Sequence, residues 1–159
     1  MLSVINSRTV DLLLHRYGCY FYVIKCVPNT ECICVNHSTH AADPKCKKCL
    51  GTGKKIKIHK VFGALRELKD RESNAVGHIN STPKIVYIKG IFRINKDDIV
   101  IDNDEVYHVL SFQHHKGEKG EFAFTRLVCP TVKSPSAHLI RNFKELLDEH
   151  KLRKKGKWL

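Results

Sequence analysis

KIVYIKGIFRINKDDIVIDNDEVYHVLSFQHHKGEKGEFAFTRLVCPT, residues 84–131, is the stretch on which the fold turns. β-Branched and aromatic residues recur in short runs, and the runs are broken by Gly, Asn and Asp. Such residues fit a pleated, half-buried surface, and the breakers mark turns. The pattern predicts strands at 84–88, 91–94, 98–101, 105–113 and 121–129. Asp102-Asn103-Asp104 reads as a tight turn between Ile99–Ile101 and Val106–Leu110. His114 to Gly120 reads as a longer hairpin loop. Short strands at this regular spacing predict a small β-barrel or sandwich.

Upstream, Ser7 to Arg16 reads as a short helix. Val10, Leu13 and Leu14 share one face, and Gly18 stands where a helix-ending glycine belongs. Cys19 to Cys26 reads as a strand, and Lys54 to Phe62 as another, with alternating side chains. Residues 63–82 are ambiguous: Leu65 and Leu68 fit a helical turn, whereas Gly63, Gly77 and Asn80 fit a loop. Downstream, Ser134-Pro135 has the form of a helix start, a capping serine before a proline at the first helical position. Leu139, Ile140, Phe143, Leu146 and Leu147 then make one apolar face, to pack on the barrel or on a neighbouring subunit. A basic tail, Lys151 to Lys157, ends in Trp158-Leu159. The expected architecture is mainly β with flanking helices (α+β). It is a single domain over 1–159, a small β-barrel with an inserted zinc-binding module at 32–53 and a C-terminal amphipathic helix and basic tail at 135–159.

The inserted module has the spacing Cys32-x-Cys34-x11-Cys46-x2-Cys49, followed by Leu50-Gly51-Thr52-Gly53. A Cys-x2-Cys turn brings two sulfurs within reach of one ion, about 2.3 Å from each. The glycines let backbone N–H groups turn toward the thiolates, and Lys45, Lys47 and Lys48 lower the thiol pKa values. Four thiolates fill a tetrahedron, so Cys32, Cys34, Cys46 and Cys49 are expected to hold a structural Zn²⁺. Cys-x-Cys is a strained pair for one ion. His37 or His40 therefore stands as an alternative to Cys32 or Cys34, with Cys26 a weaker substitute. Cys19 and Cys129 read as small core residues.

The chain has 159 residues and a formal net charge of +12. Residues 45–60 hold seven lysines and no acid, and 141–159 hold seven basic and three acidic groups. Two basic patches suggest a polyanion or an acidic partner. Lys45, Lys47, Lys48, Lys54, Lys55 and Lys57 are the candidate nucleic-acid contacts. No secretory signal or membrane span is visible, because the first apolar stretch, Val10 to Leu14, is short and interrupted by Asp11. The clustered cysteines of a chain made in a reducing cytosol favour metal over disulfides.

Enzyme readings find little footing. Gly51-Thr52-Gly53-Lys54-Lys55 lacks the first glycine and the final Ser/Thr of a phosphate-binding loop. Cys46-Lys-Lys-Cys49 has no βαβ surroundings. No His-x-Glu precedes the cysteine pair, as a zinc deaminase needs.

Tyr17-Gly18 through Val23, Cys32 through Gly53 and Asp98 through Val109 together resemble the head-closure or head–tail connector proteins of long-tailed phages. The pieces cover roughly half the chain: a "Y-G-x-x-x-Y-V" strand, Cys-x-Cys, a loop, Cys-x-x-Cys-x-Gly-Thr-Gly, then a β-rich half. The resemblance implies a small β-barrel without catalysis. Its subunits would form a homo-oligomeric neck ring between portal and tail proteins in the virion, around the channel the genomic DNA crosses. The competing class is a nucleic-acid-binding zinc module, supported by the lysines around the knuckle. A cochaperone-like module, similar to the zinc modules of DnaJ-type chaperones, has only the Gly-rich knuckle in its favour.

Overall fold

The computed structural model describes residues 7–67, 83–90, 92–116, 120, 122–130 and 137–154. Helix α1 (Ser7–Tyr17) leads directly into strand β1 (Gly18–Cys26). Then come β2 (Ile56–Glu67), β3 (Lys84–Lys89), β4 (Ile99–Asp102), β5 (Glu105–His108), β6 (Ser111–Lys116), β7 (Phe122–Cys129) and helix α2 (Ala137–Lys154). The fold is mainly β, a curled antiparallel sheet or half-barrel with flanking helices. The Ser134-Pro135 helix start, most of 63–82 and the tail beyond 154 lie outside the described residues.

The seven strands form one sheet in the order β5-β4-β1-β2-β3-β7-β6. Strands lie about 4.8 Å apart, so opposite edges of a flat sheet this wide would be roughly 29 Å apart. Yet β5 and β6, the two edges, are consecutive in sequence, with only Val109 and Leu110 between them. From His108 to Ser111 the chain can reach no more than about 11 Å. The sheet must curl to bring its edges together. Backbone bonds mark the closure: His108 N–H donates to Pro130 O (3.2 Å) and Leu110 N–H to Val128 O (2.9 Å), at the end of β7.

Alternation sorts the side chains of the sheet. Phe21, Val23, Val61, Val86, Val100, Tyr107 and Leu127 face the inside of the curl and form its core. Ile85, Tyr87, Phe124 and Val128 face out, where Val10 and Leu14 of α1 cover them with Ala64. Cys129 is fully buried in the inner core and Cys19 packs against it, as small core residues would. Burial pushes the Cys129 thiol up to about 12.

Four readings of the sequence change here. Gly63 and Leu65 belong to β2, which runs on to Glu67. A Cβ at Gly63 would lie 2.5 Å from Tyr87 O and 2.7 Å from the Phe21 ring, so glycine permits a close approach within a strand. The expected strand at 105–113 is two strands, because the chain crosses from one sheet edge to the other at 109–110. His114 and His115 lie in β6: His114 Nδ1 is 3.0 Å from Thr125 Oγ1, and His115 stacks on Phe124 at 4.4 Å. Residues 92–94, the described part of the strand expected at 91–94, are irregular, although Ile94 is buried. Gly63→Ala should therefore lower stability by about 1–3 kcal/mol through overpacking, seen as a lower urea midpoint.

Lys84 on β3 reaches β5, donating to Glu105 Oε2 at 2.7 Å and lying over the Tyr107 ring. Tyr107 also donates to Glu105. The hydrogen bond from Lys84, then that from Tyr107, holds the Glu105 carboxyl below its ordinary value. A depressed carboxyl contributes stability above its unfolded pKa, and that contribution fades as pH falls through the folded value. Glu105→Gln should flatten the acid limb of the stability profile below about pH 4.3, as read by urea unfolding at stepped pH.

Candidate metal centre

Residues 26–57 and 134–159 make one compact unit, and 1–25 with 58–133 make the other. In the first, hydrogen bonding continues past the ends of β1 and β2. Val27 N–H donates to Lys55 O and Cys32 N–H to Gly53 O, each at 2.8 Å. Thr30 Oγ1 donates to Val27 O (2.7 Å) and accepts from Lys55 N–H (3.2 Å). Two tight turns follow. Val35 N–H closes on Cys32 O, and Thr52 N–H closes on Cys49 O, both at 3.0 Å. Between them Asn36 ties its own loop, accepting on Oδ1 from Ser38 N–H (2.8 Å) and Thr39 N–H (3.3 Å).

The second turn needs left-handed backbone at two successive residues, Leu50 (φ +53°) and Gly51 (φ +81°). Leu50 is buried. A Cβ at Gly51 would press to 3.3 Å from Pro44 Cα, so glycine suits the position twice over.

These turns bring the sulfurs of Cys32, Cys34, Cys46 and Cys49 within 4.8 Å of one another, a group able to hold a metal ion. Cys32 and Cys46 sulfurs are 3.8 Å apart, and Cys34 and Cys49 sulfurs 3.4 Å. A tetrahedral ion with bonds of about 2.3 Å separates its sulfurs by about 3.8 Å. A disulfide would need about 2.05 Å, and all seven cysteines are free. The donor chemistry fits a soft ion such as zinc or iron held tetrahedrally. His37 and His40 are exposed and fall outside the group, so the histidine alternative is not taken up. Cys26 is buried and also outside it.

Backbone N–H groups converge on the sulfurs. Those of Cys49 and Lys48 point to Cys46, those of Gly53 and Gly51 to Cys49, and that of Asp43 to Cys34. Burial raises the Cys46 thiol, but the N–H groups and the neighbouring Cys34 and Cys49 thiols outweigh it and bring Cys46 down to about 7. Burial pushes Cys49 up to about 12, against the pull of its N–H donors. Burial also raises Cys34. Four crowded thiols cannot all ionise without a cation among them, and a bound divalent ion supplies that charge.

Helix α2 belongs to this unit. Asn142, buried in its apolar stripe, donates from Nδ2 to Lys45 O at 3.1 Å, and Lys47 pairs with Glu145. Phe143 is buried beside Asn142. The helix is thus tied to the cysteine module through Asn142 and Glu145. Asn142 and Glu145 went unremarked in the sequence. The available signal was an asparagine between Ile140 and Phe143 on an otherwise apolar face.

No protein-family model matches this chain, and no curated protein matches it.

Of the lysines around the module, Lys45, Lys47, Lys48, Lys55 and Lys57 are exposed and Lys54 is half-buried. Lys48 and Lys55 line a shallow cleft with Glu31, Cys32, Ile33 and Ile56. Ile33, between the first two cysteines, is 84% exposed.

Proposed function

We propose that this chain is a structural subunit of a tailed-phage neck. Copies of it would form a ring between the portal and the tail around the DNA channel, with Zn²⁺ at the four-sulfur centre. The closed thiolate set supports this reading most. Four sulfurs leave no coordination position for a substrate, so the ion's role is that of a cross-link. The order of elements supports it too, with the short helix and strand, the knuckle and the β4–β5 hairpin falling on the pieces that resemble connector proteins. The chain then has no catalytic role, and the virion is its place of work. No helix among the described residues is long and apolar enough to cross a membrane.

The test is mass spectrometry and chemical cross-linking of purified particles. The expected result is many copies per particle, with cross-links from 63–82 or 135–159 to another chain. Particles lacking the protein, or cross-links from both segments only within one subunit, would refute the ring. A second reading, a nucleic-acid-binding zinc module, draws on Lys48 and Lys55 beside the knuckle. It requires log affinity for duplex DNA to fall with log salt at about −0.9 per phosphate neutralised.

A further inference from the structure

β1 and β2 are neighbours in the sheet, and both are free of acidic residues until Glu67. No Asp or Glu occurs in residues 12–30 or 44–66. On the outer face of this strand pair two aromatic residues, Tyr20 and Phe62, are exposed, while Tyr22 is half-buried. Tyr20 is 63% exposed and Phe62 43%, while Phe21 and Val23 between them point into the core. The Tyr20 and Phe62 rings lie 5.2 Å apart, tilted by 58°. Gly18 sits beneath Phe62: a Cβ there would meet the ring and the Leu14 carbonyl, so the absence of a side chain lets the ring settle. Lys60, on the same face, holds its ammonium 4.5 Å from the Tyr20 ring centroid. Tyr17, next to Gly18, is 64% exposed, and Arg16 before it is exposed. Asp11, the acid of α1, is paired with Lys89.

We propose that the outer face of β1–β2, centred on Tyr20, Phe62 and Lys60, binds single-stranded nucleic acid. Exposed rings on strands of a curled sheet offer stacking surfaces that every base can use, whatever the sequence. Lys60 and Arg16 supply positive charge where the backbone phosphates of a stacked strand would run, and residues 12–30 and 44–66 contain no carboxylate to oppose them. A double helix hides its base faces and gains only the charge term, so it binds this face more weakly. The proposal rests neither on the ring nor on the metal knuckle.

The test is fluorescence anisotropy of the full chain with a labelled twelve-nucleotide oligothymidylate and with a duplex of equal length. The single strand should bind the more tightly. Tyr20→Leu and Phe62→Leu, which keep apolar bulk but remove the π-face, should each weaken single-strand binding about 5-fold to about 100-fold. Tyr20→Phe should retain it. Lys60→Gln should make the salt dependence shallower by about one phosphate. Circular dichroism checks the fold, and the exposed Tyr20 keeps at least one variant informative. No binding at 50 mM salt (roughly the low end at which phosphate contacts are strong) would overturn the proposal. So would equal affinity for the duplex, or unchanged affinity in both leucine variants. A change in self-association on sedimentation with oligonucleotide binding unaltered would instead make the face a protein interface, and would also overturn it.

Discussion

Purified protein is expected to carry one Zn²⁺ per chain, and Cys49→Ser is expected to lose both the ion and the structure around it. Cys49 is fully buried, and its sulfur takes N–H groups from Gly53 and Gly51 as well as facing the other three sulfurs. A serine hydroxyl is a poorer zinc donor and leaves those donors aimed at the wrong atom. Structural zinc contributes on the order of 10 kcal/mol to the folding of small modules at neutral pH. That exceeds the whole stability of many domains. The loss should concentrate in residues 26–57 and in α2, because Asn142 and Glu145 hold the helix to the knuckle. Amide exchange before and after chelation is the direct measurement, with protection falling in both segments together. Elemental analysis finding neither zinc nor iron, or unchanged protection in Cys49→Ser, would overturn the metal assignment.

The second large effect is expected in the sheet. Phe21→Ala should cost about 3–5 kcal/mol, the range for removing a buried aromatic side chain. Phe21 is fully buried in the inner core, with its ring edge against the backbone of Gly63. The neighbouring strands are tied by backbone bonds on both sides and cannot collapse into the space. For a chain of this size the melting point should fall by roughly 10 °C. The effect should not add to that of Gly63→Ala. Alanine at 63 intrudes on the Phe21 ring, and removing the ring gives its methyl group room. Full additivity in the double variant would mean that the two residues do not share the same space.

The cysteine centre was legible because its chemistry is local. Cys46-x2-Cys49 closes one turn, and Gly51 and Gly53 direct N–H groups at a sulfur within a few residues. Strand identity was legible in β1, β3, β4 and β7, where aromatic and β-branched residues dominate. Gly63 misled, because a strand glycine that admits a neighbouring backbone looks in sequence like a loop glycine. Val109 and Leu110 gave no sign of the crossing between sheet edges, because their composition continues the strands on either side. The ties of α2 to the cysteine module through Asn142 and Glu145 were invisible, since an apolar stripe states that something covers it but not which polar groups lie beside it. The exposed Tyr20 and Phe62 could not be separated from core aromatics until the pleat direction was known.

Residues 27–55 lie between two neighbouring strands of the sheet, and this placement bears on the order of folding. Pairing β1 with β2 requires closing a loop of about thirty residues, an entropic cost of about 3 kcal/mol by the logarithmic law. An ion that first gathers Cys32, Cys34, Cys46 and Cys49 closes most of that loop in advance. It leaves Cys26 and Ile56 a few residues from a fixed anchor. The pairing of β1 with β4, in which Val23 lies opposite Val100, joins segments far apart in the sequence and belongs among the slow steps. Metal availability during synthesis would then set the rate of β1–β2 pairing as well as the final stability. Zinc present when refolding starts should accelerate the appearance of the β1–β2 pair, whereas zinc added after the sheet has formed should not change that rate.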